Sequence, residues 1–189
     1  MRRYAAALSI LLCILLCGCS AEQNAVQPAL DFRTKLLAAG GCTFSADFRA
    51  DYGDKLFDFS ADCVYDGKNG TVTVTKPDTI SGIAASANDD SAALSFDGVT
   101  LALDDLGEGR VPPLSAAWLF GSAWRSDFIS AGGDDGGRYR VTILRGYDED
   151  ELQIDTWFDG GVPVSGEIAY KGQRVLSADF SDFSFLQQE

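Results

Sequence analysis

The most reactive side chains in this 189-residue sequence belong to five cysteines, and the sequence contains no histidine. Without histidine the chain cannot form a Ser-His-Asp or Cys-His catalytic arrangement, and it lacks the commonest metal ligand. It contains neither a Gly-x-Ser-x-Gly elbow nor a phosphate-binding Gly-x-x-x-x-Gly-Lys motif. The sequence therefore predicts that the protein is not an enzyme and uses no cofactor, and it leaves modification of the thiols as the chemistry to consider.

That chemistry first concerns the N-terminus, where two arginines precede the apolar residues 5–16. A charged start and a short apolar segment are typical of a secretory signal, and the segment is too short to span a bilayer comfortably. Gly18 and Cys19 follow, and a cysteine directly after a small residue resembles the lipobox of bacterial lipoproteins. The two earlier cysteines fit this pattern less well, since each follows a leucine. The resemblance implies cleavage after Gly18 and diacylglyceryl transfer to Cys19, with an ordinary secretory signal as the alternative.

Lipidation divides the chain into a signal peptide (residues 1–18), a lipidated tether (19–27) and a single domain (28–189). We expect the protein to be exported and anchored through Cys19 to the outer face of a bacterial membrane, in the cell envelope. Its net charge of −13 repels nucleic acid and anionic membrane surfaces, so the acyl chains must supply the membrane attachment. The acidic residues 148–151 lack the spacing of a calcium loop, and no metal site is expected.

The two cysteines of the domain, Cys42 and Cys63, lie on the same face of the first predicted hairpin. They stand directly opposite if the turn centres on Tyr52 and Gly53, and diagonally if it centres on Gly53 and Asp54. Outside the cytoplasm thiols oxidise, so the sequence predicts a structural disulfide between them. Two buried thiols are the alternative.

The order of elements predicts a mainly β fold with one N-terminal helix and one inserted helix. Pro28 suits the first turn of the first helix and Gly40 its end. About ten short strands follow, with apolar and polar residues alternating, and hairpin turns join nearly all of them. We therefore expect a single antiparallel sheet. In the last strand the alternation slips between Phe180 and Phe183, which indicates a β-bulge at Ser181 and Asp182.

The inserted helix is predicted over residues 114–128, directly after two prolines. It is apolar nearly all round, so it should be buried on more than one side. The glycine-rich residues 130–137 that follow are predicted to form a flexible exit loop. A helix of this kind could act as a movable lid.

The closing strands carry the clearest part of a family resemblance, in Trp157-Phe158-Asp159, Pro163, Glu167-Ile168, Tyr170, Gly172, Val175, Phe180 and Phe183. Residues 48–59 and 72–77, with the two helices, are similar to the remaining parts. Over residues 28–186 the chain resembles the bacterial lipoprotein-carrier superfamily of the LolA and LolB type. The resemblance implies an incomplete β-barrel, one curved antiparallel sheet wrapped around an apolar cavity and closed by helices. Carriers of this family shield the acyl chains of other lipoproteins.

We therefore predict that the protein binds an apolar ligand, an acyl chain or lipid, between the sheet and the inserted lid helix. The predicted ligand-binding residues are Phe44, Phe48, Phe57, Phe59, Leu114, Trp118, Gly121, Trp124 and Phe128. The alternative is that these rings pack into a solid core. The protein would then be a non-enzymatic lipoprotein scaffold that recruits another envelope protein and has no ligand.

Overall fold

A computed structural model describes residues 25–53, 55–103, 112–146 and 151–187 of the chain. The predicted signal peptide, the lipobox with Cys19 and most of the tether lie outside these residues.

The first helix, α1 (Gln27–Ala39), carries a proline in its first turn and ends where Gly40 adopts a left-handed conformation with φ of 74°. Glycine tolerates this conformation without a steric penalty, which explains the stop at that residue. Ala29, Phe32 and Leu36 form the buried face of the helix. The predicted first helix is confirmed.

Eleven strands form one sheet in the order β6-β5-β4-β3-β2-β1-β11-β10-β9-β8-β7, and every neighbouring pair is antiparallel. Among the described strands β6 and β7 form the two edges, so the sheet is an incomplete barrel, as predicted. The strands are β1 (Cys42–Asp51), β2 (Leu56–Tyr65), β3 (Gly70–Lys76), β4 (Ala84–Ala87), β5 (Ala92–Phe96), β6 (Val99–Leu103), β7 (Ala131–Asp135), β8 (Arg138–Arg145), β9 (Leu152–Asp159), β10 (Val162–Tyr170) and β11 (Gln173–Phe185).

Strands β1 and β11 lie at the centre of the sheet and show why one face is buried. In β1 the apolar side chains Phe44, Ala46, Phe48 and Ala50 are buried, whereas every second residue faces outward. The pairing of β1 with β11 shifts by one residue between Thr43 and Ser45. Thr43 pairs with Ser184 and Ser45 with Ser181, so β11 contains one residue more than β1 over this interval. The predicted bulge in the last strand is confirmed.

The second helix, α2 (Ala116–Arg125), follows a short 3-10 helix, Pro113–Ser115. Eight of its ten residues are buried, as expected for a helix that is apolar nearly all round. The predicted end at Phe128 is wrong, because Ser126 turns into an extended conformation and terminates the helix at Arg125. Phe128 therefore lies beyond α2 and is 69% exposed.

The glycine-rich residues after α2 differ most from the prediction. They form the edge strand β7, which pairs with β8 through the turn at Gly136 and Gly137. An edge strand needs only backbone pairing on one side, so Gly132 and Gly133 do not prevent it from forming. The segment is part of the sheet and is not a loop, and it supplies the eleventh strand.

Candidate ligand-binding site

Aromatic rings fill the space between α2 and the middle of the sheet. Trp124 of α2 packs against Phe44 at 5.3 Å and against Phe180 at 5.4 Å between ring centroids. Phe120 lies one turn before Trp124 and packs on Phe180 at 5.1 Å. Most of these contacts are edge-to-face, the arrangement that aromatic pairs favour.

The rings continue from there to α1. Phe32 of α1 contacts Phe158 at 4.9 Å, Phe183 at 5.7 Å and Phe185 at 5.6 Å, and it also contacts Trp124 at 6.0 Å. We call this set the ring layer: Phe32, Phe44, Phe120, Trp124, Phe158, Phe180, Phe183 and Phe185. In the structure it occupies the space beneath α2 that the sequence predicted as a cavity.

The nine predicted ligand-binding residues fall into three groups. Phe44, Leu114, Trp118, Gly121 and Trp124 lie at the contact between α2, or its preceding 3-10 turn, and the core. The others are distributed elsewhere: Phe48 and Phe59 are buried and stack on each other at 5.0 Å further along β1 and β2, whereas Phe57 and Phe128 are exposed. Phe57 was expected on the inward face of the sheet and Phe128 on the inward stripe of the helix; both are exposed, and their part in ligand binding stays a prediction. Phe57 shares the face of Phe59 but lies at the uncovered end of its strand, and Phe128 follows the helix.

One polar contact fixes Trp124 within the ring layer. Its indole Nε1–H donates to Thr156 Oγ1 at 2.9 Å, and both residues are buried. A buried indole N–H needs an acceptor, which explains a threonine on the inward face of β9. Thr156 was missed from the sequence, since nothing in its surroundings marks it as the partner of a residue 32 positions earlier.

The helix is attached differently to the two halves of the sheet. At Gly70 of β3 a Cβ atom would lie 2.0 Å from the backbone nitrogen of Trp118, so helix and strand touch backbone to backbone. At Gly121 it would lie 2.2 Å from the ring of Tyr65 in β2. On the other side, the atoms nearest to a Cβ on Gly166 of β10 would belong to the rings of Phe120 and Phe180, the closest at 2.5 Å. The β2–β3 flank of α2 therefore includes a backbone-to-backbone contact at Gly70, whereas the contact at Gly166 is made by side-chain rings.

A cleft of about 330 Å³ opens where the C-terminal half of α2 meets the end of β8 and the β2–β3 turn. Its floor is apolar, and three of the floor residues, Trp118, Ala123 and Ile143, also belong to the core. Its rim is polar and carries charged side chains: Lys68, Asp89, Arg125 and Arg145. This volume is at the lower end of the range for small-molecule pockets.

Arg145 at the end of β8 bridges the cleft. Its Nη2 lies 2.7 Å from Asp89 Oδ1 and its Nη1 donates to Ser122 Oγ of α2. The guanidinium also lies over the ring of Trp118, 4.1 Å from its centroid. A cation over a tryptophan face is attracted by the ring quadrupole. One side chain thus connects β8, α2 and the β4–β5 turn.

Two adjacent turns hold the opposite rim in place. In the β2–β3 turn, Asp66 accepts hydrogen bonds from the backbone N–H groups of Lys68 at 2.9 Å and Asn69 at 2.6 Å. Slight burial opposes ionisation of Asp66, but these hydrogen bonds outweigh it and hold the pKa of the carboxyl below its ordinary value. Asn88 of the β4–β5 turn donates to Asn69 at 3.0 Å, which ties the turn carrying Asp89 to the turn carrying Lys68.

Arg125 closes the end of the cleft at the C-terminus of α2. Its Nη1 donates to the carbonyl oxygen of Gly67, which also accepts the Tyr65 hydroxyl at 3.1 Å. Burial raises the pKa of Tyr65, and the neighbouring Arg125 partly offsets that effect. Tyr65 therefore stays protonated at neutral pH, and its hydroxyl acts as a donor. At the same end of α2, Arg33 of α1 donates to the carbonyl oxygen of Arg125 at 2.8 Å.

The predicted disulfide is wrong, because Cys42 and Cys63 are free thiols. In the pairing of β1 with β2, Cys42 stands opposite Tyr65 and Cys63 opposite Phe44, so the two cysteines are diagonal neighbours. The cause is the β1–β2 turn, whose centre lies one residue later in the chain than the direct pairing of the two cysteines requires. Burial raises the pKa of Cys42 to about 12 and also raises that of Cys63, so both remain thiols at neutral pH.

A second, more open depression of about 850 Å³ has a mixed lining, in which Asp47, Asp58 and Asp179 of the outer face occur together with the predicted ligand-binding residues Phe48 and Phe59. Within the described residues, no group of three or more histidine, cysteine, aspartate or glutamate side chains is arranged to hold a metal ion. In the same part of the chain, none of the helices is both long enough and apolar enough to cross a membrane.

Comparison with known proteins gives a likeness of fold. No protein-family model matches the chain, and no curated protein matches it. Among solved structures, a LolA superfamily protein from Nitrosomonas europaea is 12% identical with a TM-score of 0.44, and the match covers 87% of this chain and 94% of that one. The match is a similarity of fold.

Two further structures match over a similar extent. LprF from Mycobacterium bovis is 16% identical with a TM-score of 0.40, covering 85% of this chain and 93% of that one. A structure of the CwlD amidase from Clostridioides difficile in complex with the GerS lipoprotein matches at 13% identity and a TM-score of 0.42, covering 82% and 92%. At these values the matches carry no information about what this chain binds.

Proposed function

We propose that the protein is an exported, lipid-anchored lipoprotein of a bacterial envelope that binds an acyl chain or lipid between α2 and the β8–β10 half of the sheet. The observation that carries this proposal is the unequal attachment of α2. Its β2–β3 flank is fixed at Gly70 and Gly121 by backbone and ring contacts with no room for a Cβ. Between α2 and the end of β8 there is an open cleft, and its floor includes the core residues Trp118, Ala123 and Ile143.

Ligand uptake on this flank requires movement of rings and leaves the helix in place. Phe120 and Phe180 meet over Gly166, and rotation of either ring would open space along the inner face of β10. Each acyl CH₂ group that leaves water contributes about 0.8 kcal/mol. Ten such groups would contribute roughly 8 kcal/mol to the free energy of binding. The loss of contacts between the rings opposes this contribution.

A titration monitored by tryptophan fluorescence tests this proposal. The chain from residue 20 onward retains every described residue, and its Trp157→Phe variant leaves Trp118 and Trp124 as the reporters. Monooleoylglycerol, added below its aggregation concentration, should shift the emission saturably. Unchanged emission, together with an unliganded mass in native mass spectrometry, would contradict ligand binding.

A matched pair of variants locates the ligand. Phe120→Leu removes ring volume on the β10 flank and should tighten binding, because less of the ring layer must be displaced. Val74→Ala removes apolar volume from β3, on the closed flank, and should leave the affinity unchanged. An equal effect of both variants would place the ligand elsewhere.

The alternative function, a scaffold that recruits another envelope protein, is favoured by a different observation. Edge strand β6 exposes Val99, which is 72% accessible, together with Leu101. An apolar edge strand offers unpaired backbone groups to a strand of another protein. If the scaffold function is correct, Leu101→Pro should abolish partner binding while the domain binds no lipid.

A further inference from the structure

The rim of the cleft has a charge opposite to that of the whole chain. The sequence contains 28 acidic residues against 15 lysines and arginines. Among the described residues that line the rim this ratio is reversed, since Lys68, Arg125 and Arg145 accompany a single carboxylate, that of Asp89. The local excess of positive charge lies directly above the apolar floor.

Two of the three cations have no carboxylate partner among the described residues. Arg125 donates to a neutral acceptor, the carbonyl oxygen of Gly67. Within the part of the chain that the structure describes, neither Arg125 nor Lys68 has a carboxylate within salt-bridge distance. Only Arg145 is paired, and its partner Asp89 is 73% exposed. An ion pair that exposed is weak, so an incoming anion can compete with Asp89 for the guanidinium.

The position of Arg145 places this charge at the boundary between polar and apolar surfaces. Its guanidinium rests on Trp118, whose ring forms part of the apolar floor. Arginine matches carboxylate and phosphate oxygens with paired N–H donors, whereas lysine acts as a point charge. The positively charged rim therefore favours an anionic group, and the apolar floor favours a hydrocarbon chain.

We propose that the cleft binds the anionic head group, a carboxylate or phosphate, of an amphiphile whose acyl chain enters the ring layer. This inference rests on the proposed function and names the class of its ligand. Lys68 and Arg125 bind the head group at the outer rim, and Arg145 binds it at the boundary with the acyl chain.

The test compares two amphiphiles that share one acyl chain. Oleoyl lysophosphatidic acid and monooleoylglycerol are titrated at neutral pH against the Trp157→Phe chain from residue 20 onward. We expect the anionic lipid to bind at least tenfold more tightly, as one additional charge-assisted hydrogen bond predicts. Lys68→Gln and Arg125→Gln should each weaken the anionic lipid about tenfold and leave the neutral lipid unaffected. Arg125→Lys should recover part of the loss.

Arg49→Gln is the matched control, since Arg49 is an exposed arginine paired with Asp58 on the outer face, and it should leave both affinities unchanged. Equal binding of the two lipids to the unsubstituted chain would overturn this inference and leave the proposed function standing. Binding of neither lipid would overturn both. If inorganic phosphate alone produces the same spectral change at similar concentration, the site binds free phosphate and the amphiphile proposal is wrong. Thermal unfolding of each variant verifies that it is folded.

Discussion

Replacement of Thr156 by valine tests the packing of the ring layer most sharply. Valine matches threonine in shape, so the substitution removes the hydroxyl that accepts the Trp124 indole N–H at 2.9 Å and changes little else. Thr156 is 2% exposed, so water cannot replace the lost acceptor. An unsatisfied buried donor lowers stability by about 1–3 kcal/mol. For a chain of this length, 2 kcal/mol corresponds to a fall in melting temperature of about 4–8 °C.

The assay is urea unfolding followed by fluorescence and circular dichroism, with a double-mutant cycle through Trp124→Phe. Phenylalanine has no N–H to satisfy, so Thr156→Val in that background should be nearly neutral, and the two changes should couple by at least 1 kcal/mol. Thr73→Val on the exposed face of β3 is the control, expected within about 0.5 kcal/mol of the parent. A loss below 0.5 kcal/mol for Thr156→Val, or the same loss in both backgrounds, would refute the reasoning.

Three further predictions concern other parts of the chain. Cys19→Ala should release the protein from the membrane fraction or leave an uncleaved precursor; unchanged fractionation and mature mass would exclude lipidation there. Cys42 and Cys63 should resist iodoacetamide in the native protein and take up two alkyl groups after unfolding without reductant, because both are buried thiols; no uptake would indicate a disulfide. Gly70→Ala should destabilise the domain by about 1–3 kcal/mol or more, because its Cβ would collide with the backbone of Trp118; an unchanged urea midpoint would show that α2 is not held against β3.

The parts of the fold that sequence reasoning predicted are those encoded by neighbouring residues. The alternation through Phe44, Ala46 and Phe48 indicated a strand with one buried face, and the structure has that strand. Gly40 gave the end of α1 because a left-handed residue is a local requirement. The slip of apolar residues near Phe180 gave the bulge for the same reason.

The errors arise where one residue of register, or a partner far along the chain, decides the outcome. A turn shifted by one residue placed Cys42 opposite Tyr65, and no disulfide forms. Pairing with β8 turned the glycines after α2 into a strand, although their composition suggested a loop.

The cationic rim had no signal in the sequence. Arg145 and its partner Asp89 are 56 residues apart, and Arg125 and Gly67 are 58 apart. Each of these positions is one charged residue or one glycine, and no motif in the surrounding sequence marks it. Only the curvature of the sheet, which brings the β4–β5 turn to the end of β8, places them around one cleft. The helical spacing of apolar residues did predict that Trp118 and Trp124 point inward. Such spacing identifies the buried face of a helix, although it does not identify the residues that this face contacts.

The central claim is that an amphiphile binds on the β8–β10 flank of α2. The most direct measurement is paramagnetic broadening of backbone amide NMR signals by a fatty acid that carries a nitroxide along its chain. The account predicts selective, saturable broadening at Ile143 and Ile154, which are cross-strand partners on the inner face beside the cleft. The signals of Val72 and Val74 on the closed flank should be spared. Equal broadening on both flanks, or none at saturating ligand, would contradict it.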